Sequence, residues 1–85
     1  MIDKFTVCRI CGYKYNDYYP WGKDGGTPTY DICVCCGIEF GYEDDNLTEI
    51  RKSRQKWIEN GMKCNEKGIN NDFSRQLKNI PAEWK

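Results

Sequence analysis

Cys8-Arg9-Ile10-Cys11-Gly12 and Cys33-Val34-Cys35-Cys36-Gly37 are the two stretches whose reading decides the fold. Each is a C-x-x-C turn closed by glycine. Such a turn lets two sulfurs converge on one ion while backbone N–H groups behind them donate to the thiolates. Glycine after the second cysteine permits the positive φ that so tight a turn needs. The 21 residues between Cys11 and Cys33 are close to the ~15–20 typical of a four-cysteine zinc site. One such motif alone is a weak signal, whereas two of identical form predict a single tetrahedral site with Cys8, Cys11, Cys33 and Cys36 as ligands. The competing chemistry, a redox dithiol of the thioredoxin kind, requires a βαβ setting and a single motif opening a helix; here each motif runs on into an apparent strand.

Working outward, the chain has 85 residues and six cysteines. At that length one domain is expected, and folding buries only about 60% of the surface the unfolded chain exposes, so the core needs a supplement such as a metal, disulfides or a partner. The stretch Met1–Cys8 has no apolar run long enough for a secretory h-region, and no segment approaches the ~18 apolar residues of a membrane span. A cytoplasmic location is therefore expected, where reducing conditions favour metal ligation over disulfides. Residues 1–45 carry four basic and eight acidic side chains, net −4, and residues 46–85 nine basic and five acidic, net +4. A charge dipole of this kind suits a protein partner; without net positive charge it argues only weakly for nucleic acid.

Up to Tyr42 short apolar runs broken by turn residues predict strands at Lys4–Val7, Tyr13–Asn16, Thr29–Ile32 and Ile38–Tyr42, with the Gly- and Pro-rich stretch Tyr18–Pro28 connecting them. At Asp44 the character changes. Asn46 followed by Glu49 has the form of a capping box, Glu43, Asp44 and Asp45 place negative charge at the positive end of a helix dipole, and Gly61 supplies a stop, so a helix is predicted over 47–60. Its apolar side reads as Leu47, Ile50, Trp57 and Ile58, interrupted by Arg54. Phe73, Leu77 and Ile80 predict a short second helix near 72–80, capped by Asn70, Asn71 or Asp72 and ended by Pro81. Trp84 is costly to expose and predicts a C-terminus folded back on the core.

The segment Cys8–Tyr15 resembles the first knuckle of rubredoxins, which hold one iron and transfer electrons. A wider resemblance is to the cysteine-rich CPCC proteins, a mainly bacterial and uncharacterised family. It is carried by Ile32–Asp45, by Arg54–Gly61 and by Gln76-Leu77-Lys78-Asn79-Ile80, with Val34 standing where the family name puts proline. That resemblance implies zinc binding in a ribbon-like fold and brings no assigned activity.

The expected architecture is thus a small α+β metal-bound domain, residues 1–45 forming zinc-ribbon or rubredoxin-like β knuckles and residues 46–85 one long and one short helix packed on them. A closed four-cysteine site has no open coordination position, which makes zinc structural there, with iron the alternative. The chain has no histidine, so Cys–His and Ser–His nucleophile pairs are excluded, and no phosphate-binding glycine loop is present; a non-enzymatic role is expected. Cys35 and Cys64 fall outside the ligand set, as small packing residues or reactive thiols. Tyr18, Tyr19 and Trp21 offer a stiff amphipathic surface for a protein partner, or else pack over the metal knuckle. Arg51, Lys52, Arg54 and Lys56 read as a solvated helix surface, with phosphate contact as the alternative.

Overall fold

A computed structural model describes residues 4–63 and 73–85, with the side chains of Phe73 and Ser74 left aside. The two cysteine motifs fold into knuckles of the same construction. In the first, Cys8 N–H donates to the Tyr13 carbonyl (3.0 Å), Gly12 N–H to the Cys8 carbonyl (3.0 Å) and Tyr15 N–H to the Thr6 carbonyl (2.9 Å). In the second, shifted by 25 positions, Cys33 N–H donates to Ile38 (2.8 Å), Gly37 to Cys33 (3.1 Å) and Phe40 to Asp31 (2.9 Å). Gly12 and Gly37 have φ of +80° and +79°, the left-handed conformation that each knuckle's closing position demands.

The four expected strands do not extend. Each knuckle carries a single antiparallel bridge, Val7 with Lys14 and Ile32 with Glu39, and Lys4–Thr6 is a 3-10 turn. Tyr30 (φ +62°) and Gly41 (φ +94°) stand in the left-handed region inside two of the expected strands, and Asp17 (φ +52°) follows directly on a third; a strand cannot run through such positions. A β-ribbon is therefore replaced by two one-rung knuckles joined by irregular chain.

Helix α1 spans Leu47–Glu59, and Asn46 caps it by accepting from Glu49 N–H at 3.0 Å. At its end Gly61 (φ +89°) donates to Ile58 and Met62 to Trp57, the paired bonds of a Schellman motif. The inward stripe is Ile50 and Trp57, both buried, with half-buried Arg54 between them at spacings of 4 and 3. Leu47 and Ile58 are each 37% exposed and leave the expected face. Arg54 does not interrupt the stripe but completes it: Nε donates to the Ile10 carbonyl and Nη2 to the Arg9 carbonyl, both at 2.8 Å, and Nη2 also reaches the Trp84 carbonyl.

Helix α2, Phe73–Leu77, is shorter than expected. Successive i to i−3 bonds from Lys78, Asn79 and Ile80 carry the turn on to Pro81. Its proposed caps, Asn70 to Asp72, lie outside the described residues, as does Cys64. Ala82–Trp84 forms a 3-10 turn against α1, and Trp84 is partly buried, as its cost in water requires. A Lys4–Glu83 ion pair (2.8 Å) links this turn to the start of the described chain. The core beneath consists of Ile10, Ile38, Phe40, Ile50 and Trp57 with the cysteines. Among the described residues no helix is long and apolar enough to cross a membrane.

Candidate metal centre

The knuckles face one another, and their fixed turns aim four thiols at a common point. The sulfurs of Cys8, Cys11, Cys33 and Cys36 all lie within 4.8 Å of one another. Two separations, Cys8 to Cys36 (3.7 Å) and Cys11 to Cys33 (3.8 Å), pair one sulfur from each knuckle. A disulfide would bring such atoms to about 2.05 Å. Four sulfurs at about 2.3 Å from a central zinc stand about 3.8 Å apart at the edges of the tetrahedron. The donor set and its spacing therefore fit one tetrahedral metal ion, and a four-cysteine group of this shape can hold one.

Electrostatics point the same way. Cys8, Cys11 and Cys33 are fully buried, and Cys36 is partly exposed. Burial pushes the Cys8 and Cys11 thiols well above their ordinary range, because a thiolate in an apolar core loses its hydration. Cys33 moves the other way, held down by the Cys11, Cys36 and Cys8 sulfhydryls that donate to it. Without a cation the four sulfurs must thus share protons. A divalent ion replaces those protons and removes the cost of packing several thiolates together.

Cys33 has further donors. Tyr15 Oη donates to its sulfur at 3.3 Å and in turn accepts from Val34 N–H at 3.1 Å, while Cys35 N–H reaches Cys33 Sγ at 3.4 Å. Burial, and then the negative charge at Cys33, push the Tyr15 phenol far up, so its proton stays available for donation. Cys35 itself is buried and stands outside the four-sulfur group, with its thiol hydrogen-bonded to Cys11. The Gln76 amide donates both to its sulfur (3.3 Å) and to the Cys11 carbonyl (3.0 Å), tying α2 to both knuckles.

The aromatic loop is mostly committed to the protein. Tyr18 packs on Tyr15 and Phe40, donates to Asp31 Oδ2 (2.6 Å) and meets Thr29 Oγ1 (2.7 Å); burial and the Asp31 bond raise its phenol to about 12. Trp21 donates through Nε1 to Asp44 Oδ2 (2.8 Å), and its ring covers the Arg9 guanidinium at 4.0 Å, with Trp84 at 4.5 Å. Tyr19 is half-buried with the Lys23 ammonium 5.8 Å from its ring. Among the described residues the aromatic side chains left most exposed are instead Tyr42 (73%) and Tyr30 (62%), and Ile32 is 49% exposed.

Two sequence assignments change. Asp44 is not a solvated helix-end charge but is fully buried, accepting from Trp21 and, at 2.7 Å, from Gly41 N–H; burial raises its carboxyl, against those two bonds and Arg9. Arg54 is no surface cation, and burial lowers its guanidinium while the Cys8 and Cys11 sulfurs oppose that shift. Arg51, Lys52 and Lys56 remain exposed. A basic residue at the 50, 54, 57 stripe position was the available signal for Arg54; nothing in the sequence singled out Asp44 from its acidic neighbours.

The chain is similar to two proteins of Bacillus subtilis strain 168. Uncharacterized protein YoaQ is 36% identical, the match covering 73% of this chain and 64% of that protein, and uncharacterized protein YozI is 39% identical over 71% and 62% respectively. The chain thus spans less than two thirds of the length of these curated relatives. No protein-family model matches it, and no solved structure matches it significantly.

Proposed function

We propose that the chain is a small cytoplasmic zinc protein in which Cys8, Cys11, Cys33 and Cys36 form a closed structural centre, and that it works as a non-enzymatic protein-interaction module. The observation that carries the metal reading is the pair of cross-knuckle sulfur separations, 3.7 and 3.8 Å, at the edge length of a zinc–thiolate tetrahedron. The likeness of Ile32–Asp45 to the CPCC proteins supports zinc over iron. Four thiolates fill the coordination shell and leave no position for substrate, so the ion holds the knuckles together. Apparent binding energies of ~10–16 kcal/mol in zinc-finger peptides exceed the whole stability of a typical small domain.

The interaction role draws on the acidic first half, the basic second half and the exposed Tyr30, Ile32 and Tyr42. Elemental analysis and absorption spectroscopy of the natively purified protein test the metal assignment. One zinc per chain and no colour are expected. A red protein with one iron would replace zinc by a rubredoxin-like electron carrier, and a metal-free folded chain would remove the reading altogether.

A further inference from the structure

The four sulfurs are unequal in a way that bears on how the centre is taken apart. Cys8, Cys11 and Cys33 have no exposed surface. Cys36 alone of the four is partly exposed, and it lies in the wall of a cleft of about 230 Å³ between the second knuckle and α1. Lys56, Asn60 and Lys63 line that cleft with Cys36, Glu43 and Ser53, and both lysines are exposed. Two ammonium groups against one carboxylate offset part of the −2 charge that zinc with four thiolates carries, and they do so beside the one sulfur that reaches the surface. Cations flanking a thiolate raise the local concentration of an anionic reagent and its encounter rate.

Cys33, by contrast, receives N–H and O–H donors from Cys35 and Tyr15 that stabilise it as a ligand and shield it. The cross-knuckle neighbour of Cys36 is Cys8, with the sulfurs already 3.7 Å apart. We infer that, with zinc held by the four cysteines as proposed above, Cys36 is the site at which a small anionic disulfide opens the centre, with Cys8 as the resolving thiol.

The chemistry balances without a further oxidant. The Cys36 sulfur attacks one sulfur of the incoming disulfide, whose S–S bond breaks and releases one small thiolate; Cys36 becomes a mixed disulfide and ceases to be a ligand. The Cys8 thiolate then attacks the Cys36 sulfur and expels the second small thiolate. The two protein sulfurs need to close about 1.7 Å to reach bonding distance. The net change is oxidation of Cys8 and Cys36 to one disulfide and reduction of the small disulfide to two thiolates, by ordinary thiolate exchange. Two of four ligands are then lost, and zinc leaves.

The test uses the zinc-loaded full chain and glutathione disulfide, with released zinc read by a chromophoric chelator and the modified cysteines mapped by mass spectrometry. Glutathionylated Cys36 is expected first, then a Cys8–Cys36 disulfide appearing together with free zinc. In the Lys56→Gln/Lys63→Gln chain, still loaded with one zinc, release by glutathione disulfide should slow about tenfold at low salt, the low end of charged-cleft effects. Neutral 2-hydroxyethyl disulfide should release zinc from both chains at the same rate. First modification at Cys8, Cys11 or Cys33, no reaction, or no effect of the lysine substitutions would overturn the inference and leave the zinc site standing. A purified chain that takes up no zinc would instead contradict the metal reading on which the inference rests.

Discussion

Replacing Arg54 with methionine removes a clamp that holds the first knuckle to α1 and to the C-terminal turn while keeping most of the apolar stem. The guanidinium donates to the carbonyls of Arg9 and Ile10, the two residues between Cys8 and Cys11, and to that of Trp84. Hydrogen bonds to a charged group contribute about 1.5–3 kcal/mol each, so three bonds set an upper bound of about 4.5–9 kcal/mol. Two effects reduce it. The guanidinium is desolvated, which is what lowers its protonation tendency, and the site is only half-buried, so water can reach part of what methionine vacates. The expected loss is about 2–4 kcal/mol. In urea, with m of ~1–1.5 kcal/mol/M for a chain this small, that is a fall in midpoint of roughly 2 M. The assay is urea unfolding followed by tryptophan fluorescence at fixed free zinc, because zinc binding to the folded state adds to apparent stability. Arg54→Lys should lose a part of the same amount, since one ammonium cannot span three carbonyls. A methionine variant within about 0.5 kcal/mol of the parent would show that Arg54 behaves as an ordinary surface residue, and the account of the clamp would be wrong.

Asp44→Asn should destabilise by about 1–3 kcal/mol in the same assay, because both carboxylate oxygens accept N–H donors and the amide turns a donor toward one of them; equal stability would mean the carboxyl is already protonated or unbonded. Gly12→Ala and Gly61→Ala form a pair read by thermal unfolding: both have φ near +80° to +90°, but a Cβ at residue 12 overlaps the Gln76 carbonyl, whereas one at residue 61 meets only the Lys63 side chain at an ordinary 4.0 Å. Gly61→Ala should cost about 1 kcal/mol and Gly12→Ala clearly more; equal losses would place α2 elsewhere. Zinc affinity should climb with pH between 6 and 8 in a competition titration, since cysteine thiols, with an ordinary pKa of about 8.5, carry protons in that range and must release them on binding. Each released proton gives about tenfold per pH unit, and a flat profile would mean that the thiolates exist before the metal arrives.

The cluster of four sulfurs was legible because its geometry is local: a C-x-x-C-G turn dictates its own hydrogen bonds, and two such turns need only meet. The cap at Asn46 and the stop at Gly61 were legible for the same reason. The strands were not, since Tyr30 and Asp17 adopt left-handed conformations that their residue types do not advertise and that tertiary packing imposes. Arg54 was read as part of a solvated helix surface and Asp44 as charge at a helix end, because charge is normally exposed. Their burial depends on partners 23 to 45 residues away, Trp21 for the carboxylate and the Arg9 and Ile10 carbonyls for the guanidinium, and such pairings leave no periodic trace in the chain. The aromatic loop shows the converse: Tyr18 and Trp21 read either as a recognition surface or as packing over the metal knuckle, and they are held within the protein by Asp31 and Asp44.

X-ray absorption at the metal edge of the zinc-loaded chain tests the central claim most directly. Four sulfur neighbours at about 2.3 Å, with no nitrogen or oxygen in the shell, are expected, and one of the four should be lost in Cys36→Ser. A shell containing oxygen or nitrogen in the parent chain, or an unchanged four-sulfur shell in Cys36→Ser, would contradict a closed centre built from Cys8, Cys11, Cys33 and Cys36.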